Sequence, residues 1–157
     1  SMALIHQTLY QSQDFAQVDF GVFLDSFVPV LISSYALHGN NIALEIVTHD
    51  VALPINTAIP CGLIVNELVS NALKHAFPSG RQGKILLELQ SDNDRDLVLA
   101  VSDDGVGLPP DLDARTTGSL GLQLVATLGS QLRGKLDIRP SEPTRFTLRF
   151  PRPDEGR

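Results

Sequence analysis

Three short segments between residues 67 and 121 limit the folds open to this chain more than any other feature. The first is a helical pattern with a polar face, the second is a strand that ends in two aspartates and two glycines, and the third is a glycine-rich helix start. Each is a weak signal alone, because surface charges, Asp-Gly turns and flexible glycines are common. Their order and spacing together indicate one ligand site shared by two helices and a strand end.

The first segment is predicted to be a helix over residues 60–76, with Pro60 in its first turn and a stop at residues 77–80. At about 3.6 residues per turn, one face carries four polar residues, Glu67, Asn71, Lys74 and His75, and another carries Ile64, Val65, Leu68 and Ala72. Solvated surface charges remain an alternative for Glu67 and Lys74. Asn71 favours a ligand site, because asparagine is a poor residue in the middle of a helix.

The second segment begins as a short apolar strand, residues 97–101, and residues 103–107 then read Asp-Asp-Gly-Val-Gly. Glycines at these positions let the backbone turn sharply and approach a flat ligand. A carboxylate at the end of a buried strand only accepts hydrogen bonds, so an aspartate of this pair would suit the exocyclic amine of adenine and repel the carbonyl oxygen of guanine. An ordinary turn leading into Leu108-Pro109-Pro110 is the alternative.

The third segment opens with Gly118 and Gly121 and continues as an apolar-periodic helix predicted to end at Gly134. A glycine-rich helix start offers free backbone N–H groups and the positive end of a helix dipole to phosphates. Simple loop flexibility is the alternative. The chain has no Gly-x-x-x-x-Gly-Lys-Ser/Thr sequence, and the glycine pair at 105 and 107 lacks the third glycine and following helix of a dinucleotide fingerprint. Two common nucleotide-binding folds are therefore excluded.

Together the three segments resemble the N, G1 and G2 boxes of the ATP-binding catalytic domain of sensor histidine kinases, in the superfamily shared with gyrase, Hsp90 and MutL. Residues 66–77 read Asn-Glu-Leu-Val-Ser-Asn-Ala-Leu-Lys-His-Ala-Phe, which resembles the N box of one histidine kinase subgroup without interruption. The resemblance extends to residues 118–125, 131–135 and 144–151. It therefore covers nearly the whole chain.

For the adenine end of the site, the resemblance implies that Asp103 binds the adenine amine and that Gly105 and Gly107 shape the pocket floor. Thr144 would reach the adenine edge through a water, and His75 would line the pocket. Glu142-Pro143-Thr144 stands where such domains usually have Gly-Thr, so the match at Thr144 is incomplete.

For the phosphate end, the resemblance implies that Asn71 gives its side-chain oxygen to Mg²⁺ and that Lys74 approaches the phosphates. One neutral oxygen suffices for Mg²⁺ where phosphates and waters fill the other positions. Backbone groups of four residues would wrap the phosphates: Gly118, Leu120, Gly121 and Leu122. Glu67, which activates water in the superfamily's ATPases, would here orient or deprotonate the accepting histidine. The lid between Gly107 and Gly118 is short and is expected to be mobile without nucleotide.

The remaining patterns predict an α+β fold. Strands are expected at residues 42–47 and 51–53, a hairpin at 84–89 and 97–102, and two more strands at 135–139 and 144–150. A first helix is expected over about residues 19–37, with a kink or a late start at Pro29. The result is a two-layer α/β sandwich, a mixed sheet covered on one face by three helices, and the resemblance implies the Bergerat ATP-binding type.

A chain of 157 residues that is 43% hydrophobic predicts one domain with a substantial core. Residues 17–153 are assigned to the catalytic domain, residues 1–16 to a remnant of a dimerisation hairpin and its linker, and residues 154–157 to a tail. A net charge of −6 without a basic cluster argues against nucleic-acid binding. The lone Cys61 suits a reducing cytosol, and no apolar stretch long enough for a bilayer is present. We expect a cytoplasmic module without membrane contact of its own, whose parent is soluble or membrane-anchored.

The four histidines, His6, His38, His49 and His75, do not fit a phosphoacceptor. We therefore expect the accepting histidine outside this chain, in the dimerisation domain of a homodimeric parent kinase, with a downstream response regulator as the second partner. The chain alone is expected to bind ATP and Mg²⁺ and to phosphorylate itself poorly.

Three other functions stay open at this point. An ATPase conformational switch of the gyrase, Hsp90 or MutL kind would share the pocket and use Glu67 to activate water. An anti-sigma-type serine kinase would use a similar fold on a regulatory protein, although the N box weighs against it. A degenerate domain used only for docking is disfavoured, because all three motifs are intact.

Overall fold

The computed structural model describes residues 3–5, 17–35, 41–49, 51–110 and 119–153. Three α-helices are described from end to end, α1 (Phe20–Tyr35), α2 (Ile55–His75) and α3 (Leu120–Gln131), and residues 3–5 are also helical. Its strands are β1 (Val18–Asp19), β2 (Ile42–Thr48), β3 (Ala52–Leu53), β4 (Gly83–Asp92), β5 (Asp96–Asp103), β6 (Lys135–Arg139) and β7 (Thr144–Pro151). Within these ranges, no helix is long and apolar enough to cross a membrane.

Five strands form one mixed sheet in the order β2-β4-β5-β7-β6. β2 runs parallel to β4, and α2 lies on the crossover between them, whereas the other neighbours pair antiparallel. β1 and β3 form a separate two-stranded ribbon. The register places Asp103 at the end of β5 directly opposite Thr144 at the start of β7.

One face of the sheet is buried, because the apolar residues of its strands alternate with polar ones. The residues on this face of β4, β5 and β7 pack in one core with all three helices, and those of the three strands are Ile85, Leu87, Leu89, Leu97, Leu99, Val101, Phe146, Leu148 and Phe150. The predicted mixed sheet with helices on one face, an α+β fold, is confirmed. The buried stripe predicted for α2 is confirmed as well, since Ile64, Val65, Leu68 and Ala72 all belong to the core.

The other face of the sheet carries polar side chains that shield its centre. Ala100 and Ser102 face this side of β5 and are nevertheless buried. An ion pair between Arg145 of β7 and Glu88 of β4, at 2.8 Å, crosses β5 at these two small residues. The aliphatic parts of these two long side chains cover Ala100 and Ser102 while their charged ends pair. This covering accounts for the burial of the two small residues without a second layer of helices.

Two prolines, Pro29 and Pro60, lie inside helices. α1 begins at Phe20, where the Asp19 carboxylate accepts a hydrogen bond from the Val22 N–H at 3.1 Å, and it continues through Pro29. Of the two alternatives for Pro29, the late start is therefore wrong, and the kink stays a prediction. α2 begins at Ile55 rather than at Pro60, so Pro60 lies in its second turn. In both helices, buried residues on either side of the proline keep the turn helical, since tertiary packing outweighs the lost N–H.

Residues 3–5 also contribute to the core. Ile5 has no exposed surface and belongs to the same apolar cluster as the helices. The remainder of the predicted hairpin remnant, with His6, and likewise His38 and the tail at 154–157, lies outside the described residues.

Candidate functional site

A cavity of about 170 Å³ opens between α2, the facing ends of β5 and β7, and the residue that precedes α3. Six of the predicted site residues line it: Asn71, His75, Asp103, Gly107, Leu122 and Thr144. Its walls are largely apolar, with Leu68 and Ala72 from α2, Val101 from β5 and Phe146 from β7. An apolar slot with a few convergent polar groups is the usual form of a small-molecule site.

Asp103 is the buried acid of this cavity. Its side chain is only 8% exposed, and its Oδ1 accepts a hydrogen bond from the Gly105 N–H at 2.9 Å. No described residue donates to its second oxygen, Oδ2. Burial raises the pKa of this carboxyl, the Gly105 N–H opposes that rise, and the neighbouring Asp104 adds to it. The cavity therefore contains a hydrogen-bond acceptor with one oxygen left for a ligand.

Asp104 has a different role although it is the next residue. It is exposed and does not line the cavity. Its Oδ1 accepts a hydrogen bond from the Lys84 N–H at 2.7 Å, and its carbonyl oxygen accepts one from Arg81 at 3.1 Å. Asp104 thus fastens the end of β5 to the start of β4, while Asp103 faces the cavity.

The two glycines of this segment fix its path between neighbouring elements. A Cβ on Gly105 would lie 2.5 Å from the Cβ of Ala76, so only glycine fits there. The next residue, Val106, donates its N–H to the Ala76 carbonyl at 3.0 Å. Gly107 has φ +89°, a conformation that side-chain-bearing residues rarely adopt. Gly107 lines the cavity and Gly105 does not.

Thr144 lies opposite Asp103 and is 4% exposed. Its hydroxyl donates a hydrogen bond to the Pro140 carbonyl at 3.1 Å, which holds the loop between β6 and β7 against the cavity. Leu108 donates its N–H to the same carbonyl at 2.8 Å. The unusual Glu142-Pro143 pair, joined by a cis peptide bond, therefore still places a threonine hydroxyl at this position.

Glu67 and Asn71 meet the first turn of α3 at one end of the cavity. A Cβ on Gly121 would lie 2.6 Å from the Glu67 Oε2 and 3.9 Å from the Asn71 Nδ2. Glycine at position 121 thus lets the start of α3 lie directly on the Glu67 carboxylate. Both Glu67 and Asn71 are half-buried, and only Asn71 lines the cavity.

The other residues predicted for the phosphate end are more remote from the cavity. The side chain of Lys74 is exposed, and Leu120 is 81% exposed at the first position of α3. Neither they nor Gly121 line the cavity. Gly118 and most of the predicted lid, residues 111–118, lie outside the described residues. The described cavity therefore corresponds mainly to the predicted adenine end.

Several lining residues were missed by the sequence reasoning, although strand and helix periods point to them. Val101 and Phe146 lie two positions from Asp103 and Thr144 on the same strand faces. Ala76 follows Ala72 by one helical turn. Ser119 is the N-cap of α3, and its hydroxyl accepts a hydrogen bond from the Leu122 N–H at 3.4 Å. A serine directly before an apolar-periodic helix is the signal that could have identified it.

One known protein family matches the part of the chain that contains all the residues of this site. A sequence model of the family described as histidine kinase-, DNA gyrase B- and HSP90-like ATPases matches residues 56–154. A second model, described as histidine kinase, matches residues 1–35.

Two curated relatives are sensor kinases. The sensor histidine kinase PdtaS of Mycobacterium tuberculosis is 34% identical over 161 residues, a match that covers 100% of this chain and 32% of PdtaS. The blue-light-activated histidine kinase 2 of Erythrobacter litoralis is 31% identical over 140 residues, covering 84% of this chain and 40% of the relative. The chain thus spans between 32% and 40% of the length of these two relatives.

Solved structures agree on the fold. The histidine kinase domain of a blue-light-activated histidine kinase from Erythrobacter litoralis superposes with a TM-score of 0.80 at 26% identity, covering 94% of this chain and 74% of that one. The histidine kinase AdeS of Acinetobacter baumannii superposes with a TM-score of 0.66 at 14% identity, covering 98% and 76%, and shows a shared fold only.

Proposed function

We propose, from the premise that this chain belongs to the family of histidine kinase-, DNA gyrase B- and HSP90-like ATPases, that it is the ATP-binding catalytic module of a two-component sensor histidine kinase. Its relatives are sensor histidine kinases, and its fold is that of their catalytic domains. In the proposed reaction, the module positions Mg-ATP so that the γ-phosphoryl group reaches a histidine outside this chain.

The observation that carries the proposal is the buried Asp103 carboxylate with one oxygen free in an apolar slot. The exocyclic amine of adenine would donate to that oxygen, and the planar base would lie between apolar side chains such as Leu68 and Phe146. Guanine has a carbonyl oxygen at the same place, which a carboxylate repels. The Asp103 carboxylate only accepts hydrogen bonds and is held in place by the Gly105 N–H. It would therefore select adenine over guanine.

The phosphate chain would leave the slot toward the start of α3. Backbone N–H groups at the start of a helix attract anions, and we propose this role for Leu120 and Gly121 in the first turn of α3, for Leu122 in exchange for its 3.4 Å hydrogen bond to Ser119, and for Gly118, which precedes the helix in sequence. Lys74, on the neighbouring helix α2, would swing its exposed ammonium toward the same phosphates.

Mg²⁺ is proposed to bind between these phosphates and Asn71. The amide of Asn71 offers one neutral oxygen, which suits a hard cation whose other positions are filled by oxygens of the nucleotide and water. The side-chain oxygen of Asn71 would be the ligand from the protein. The ion would neutralise the charge that develops on the transferred group.

Glu67 is the proposed catalytic carboxylate. It lies beside Asn71 and against Gly121, at the end of the site where the γ-phosphate would be. There it would accept a hydrogen bond from the incoming histidine, orient its ring and take up its proton as the bond to phosphorus forms. The same position suits activation of water, so a conformational ATPase is the second candidate function.

The partners and boundaries are also proposals. We assign residues 17–153 to the catalytic domain, residues 1–16 to the end of a dimerisation hairpin and residues 154–157 to a tail. The accepting histidine would belong to the dimerisation domain of a homodimeric, cytoplasmic kinase module, and a response regulator would receive the phosphoryl group. The match of residues 1–35 to a histidine kinase model supports a hairpin on this side of the domain.

The test is to incubate the complete parent protein with γ-labelled ATP and Mg²⁺ and to follow the label. Phosphohistidine is expected, recognised as protein-bound label that is lost in acid and retained in base. Label that survives acid as phosphoserine would replace the proposal by a serine kinase, and release of free phosphate without labelled protein would replace it by an ATPase.

A further inference from the structure

Residues 3–5 pack on the domain at a place separate from the nucleotide cavity. Ile5 is 0% exposed, Leu4 is half-buried and Ala3 is exposed. A fully buried isoleucine ahead of the first strand means that this segment is held by the fold rather than lying loosely over it. None of these three residues lines the cavity.

The surface that receives Ile5 is formed by a glycine of α2 and a ring of α1. A Cβ on Gly62 would lie 3.4 Å from the Ile5 Cγ2 and 3.2 Å from the Phe23 Cζ. Gly62 therefore presents bare backbone to both side chains, which approach closely for that reason. Phe23 is in turn stacked on Phe27, with ring centroids 5.3 Å apart. We refer to this packing as the Ile5–Gly62 contact.

The same helix connects this contact with the candidate site. Glu67 and Asn71 follow Gly62 by five and nine residues, which at about 1.5 Å per residue is about 7.5 and 13.5 Å along the helix axis. Residues 62–71 belong to one unbroken helix that has buried residues in every turn. A force on Gly62 therefore reaches both site residues directly.

We propose that residues 3–5 of this chain are a docking element, and that the seated Ile5 holds α2 in the position that binds nucleotide. A rotation or withdrawal of the helical segment 3–5 would remove Ile5 from Gly62 and Phe23 and lower nucleotide affinity. The coupling to nucleotide rests on the proposed function above, whereas the docking does not. Coupling between two sites is reciprocal, so bound nucleotide must also stabilise the Ile5–Gly62 contact.

Thiol labelling tests the docking. The native Cys61 is buried, and burial raises its pKa to about 12, so replacing it by alanine removes an inert thiol and leaves a clean background. In that background, Ile5→Cys is compared with Val22→Cys, whose position on α1 is 61% exposed. The thiol at position 5 is expected to react at least about tenfold more slowly, because reaction requires undocking. Equal rates would overturn the docking.

Repeating the labelling with saturating Mg-ADP tests the coupling. The reaction at position 5 is expected to slow by a further factor of about five or more, with no change at position 22. Ile5→Ala should weaken Mg-ADP binding by the same factor, while Ile5→Val, which keeps a branched side chain, restores most of the affinity. The coupling would be overturned if Mg-ADP left the labelling rate at position 5 unchanged and Ile5→Ala left the affinity for Mg-ADP unchanged.

Failure of the proposed function would look different. If the unmodified chain bound no adenine nucleotide at all, the proposed function and the coupling would both fall. The comparison of positions 5 and 22 without nucleotide would still decide whether Ile5 is docked.

Discussion

Replacing Asp103 by asparagine should have opposite effects on nucleotide binding and on stability. Asparagine keeps a carbonyl oxygen that accepts from the Gly105 N–H, so the local fold is retained. Its amide nitrogen then takes the place of Oδ2 and presents a donor to the adenine amine, which is also a donor. The acceptor that the site needs is lost, and the shape of the cavity stays nearly the same.

The size of the loss follows from the kind of hydrogen bond removed. A hydrogen bond to a charged group contributes about 1.5–3 kcal/mol, which corresponds to a factor of about 10 to 150 in affinity. The repulsion between the two donors weakens binding further, so this loss of affinity is a lower bound. Stability should change in the other direction. Burial raises the pKa of Asp103, which means that the folded state disfavours its ionised form, and the neutral asparagine avoids that cost at neutral pH.

Calorimetric titration with ADP and thermal unfolding without nucleotide measure the two effects. Asp104→Asn is the matched control, because it makes the same chemical change at an exposed neighbour that does not line the cavity. Asp103→Asn should bind ADP at least about tenfold more weakly and unfold at a higher temperature, with Asp104→Asn near the original protein in affinity. Unchanged affinity in Asp103→Asn, or an equal loss in both variants, would refute the assignment of the adenine site.

Three further predictions concern other parts of the site. Asn71→Ala should remove the dependence of nucleotide affinity on Mg²⁺, measured as ADP binding with and without the ion; a retained dependence would exclude Asn71 as the ligand. Gly121→Ala should displace Glu67, 2.6 Å from the new Cβ, and lower the rate of phosphoryl transfer with little change in melting temperature, and adding Glu67→Ala should leave no further effect of residue 121. Between pH 3.8 and its raised pKa, Asp103 binds more protons in the folded protein than in the unfolded chain, so its contribution to stability should fall as pH rises there. In urea unfolding at several pH values, Asp103→Asn should lack this contribution relative to the original protein.

The sequence was sufficient for elements whose pattern is repeated over many residues. The strands predicted at 135–139 and 144–150 match β6 and β7 to within one residue, because alternation is regular there. The hairpin predicted at 84–89 and 97–102 was found as β4 and β5, although β4 continues three residues beyond its predicted end. The start of α2 was wrong, since proline is favoured in a first turn and Pro60 was taken for that position. Packing of Ala58 and Cys61 in the core holds an additional turn ahead of it.

In the candidate site, too, some features were predicted from the sequence and others were not. The family resemblance selected Asp103 over Asp104, and in the structure Asp103 continues the buried face of Leu99 and Val101. The contact of Glu67 with Gly121 and the burial of Ile5 join residues far apart in the chain. No local pattern contains such information, because both contacts depend on where whole helices lie.

The interior place of β7 in the sheet has a consequence for synthesis of the protein. This strand is made late, yet it supplies Thr144 and separates β5 from β6. A nascent chain that has not passed residue 144 has helix α2 and Asp103 but no opposite wall for the base. If the proposed adenine site is right, adenine nucleotide would therefore not assist the early steps of folding on the ribosome, and would stabilise the protein only once this strand has been inserted.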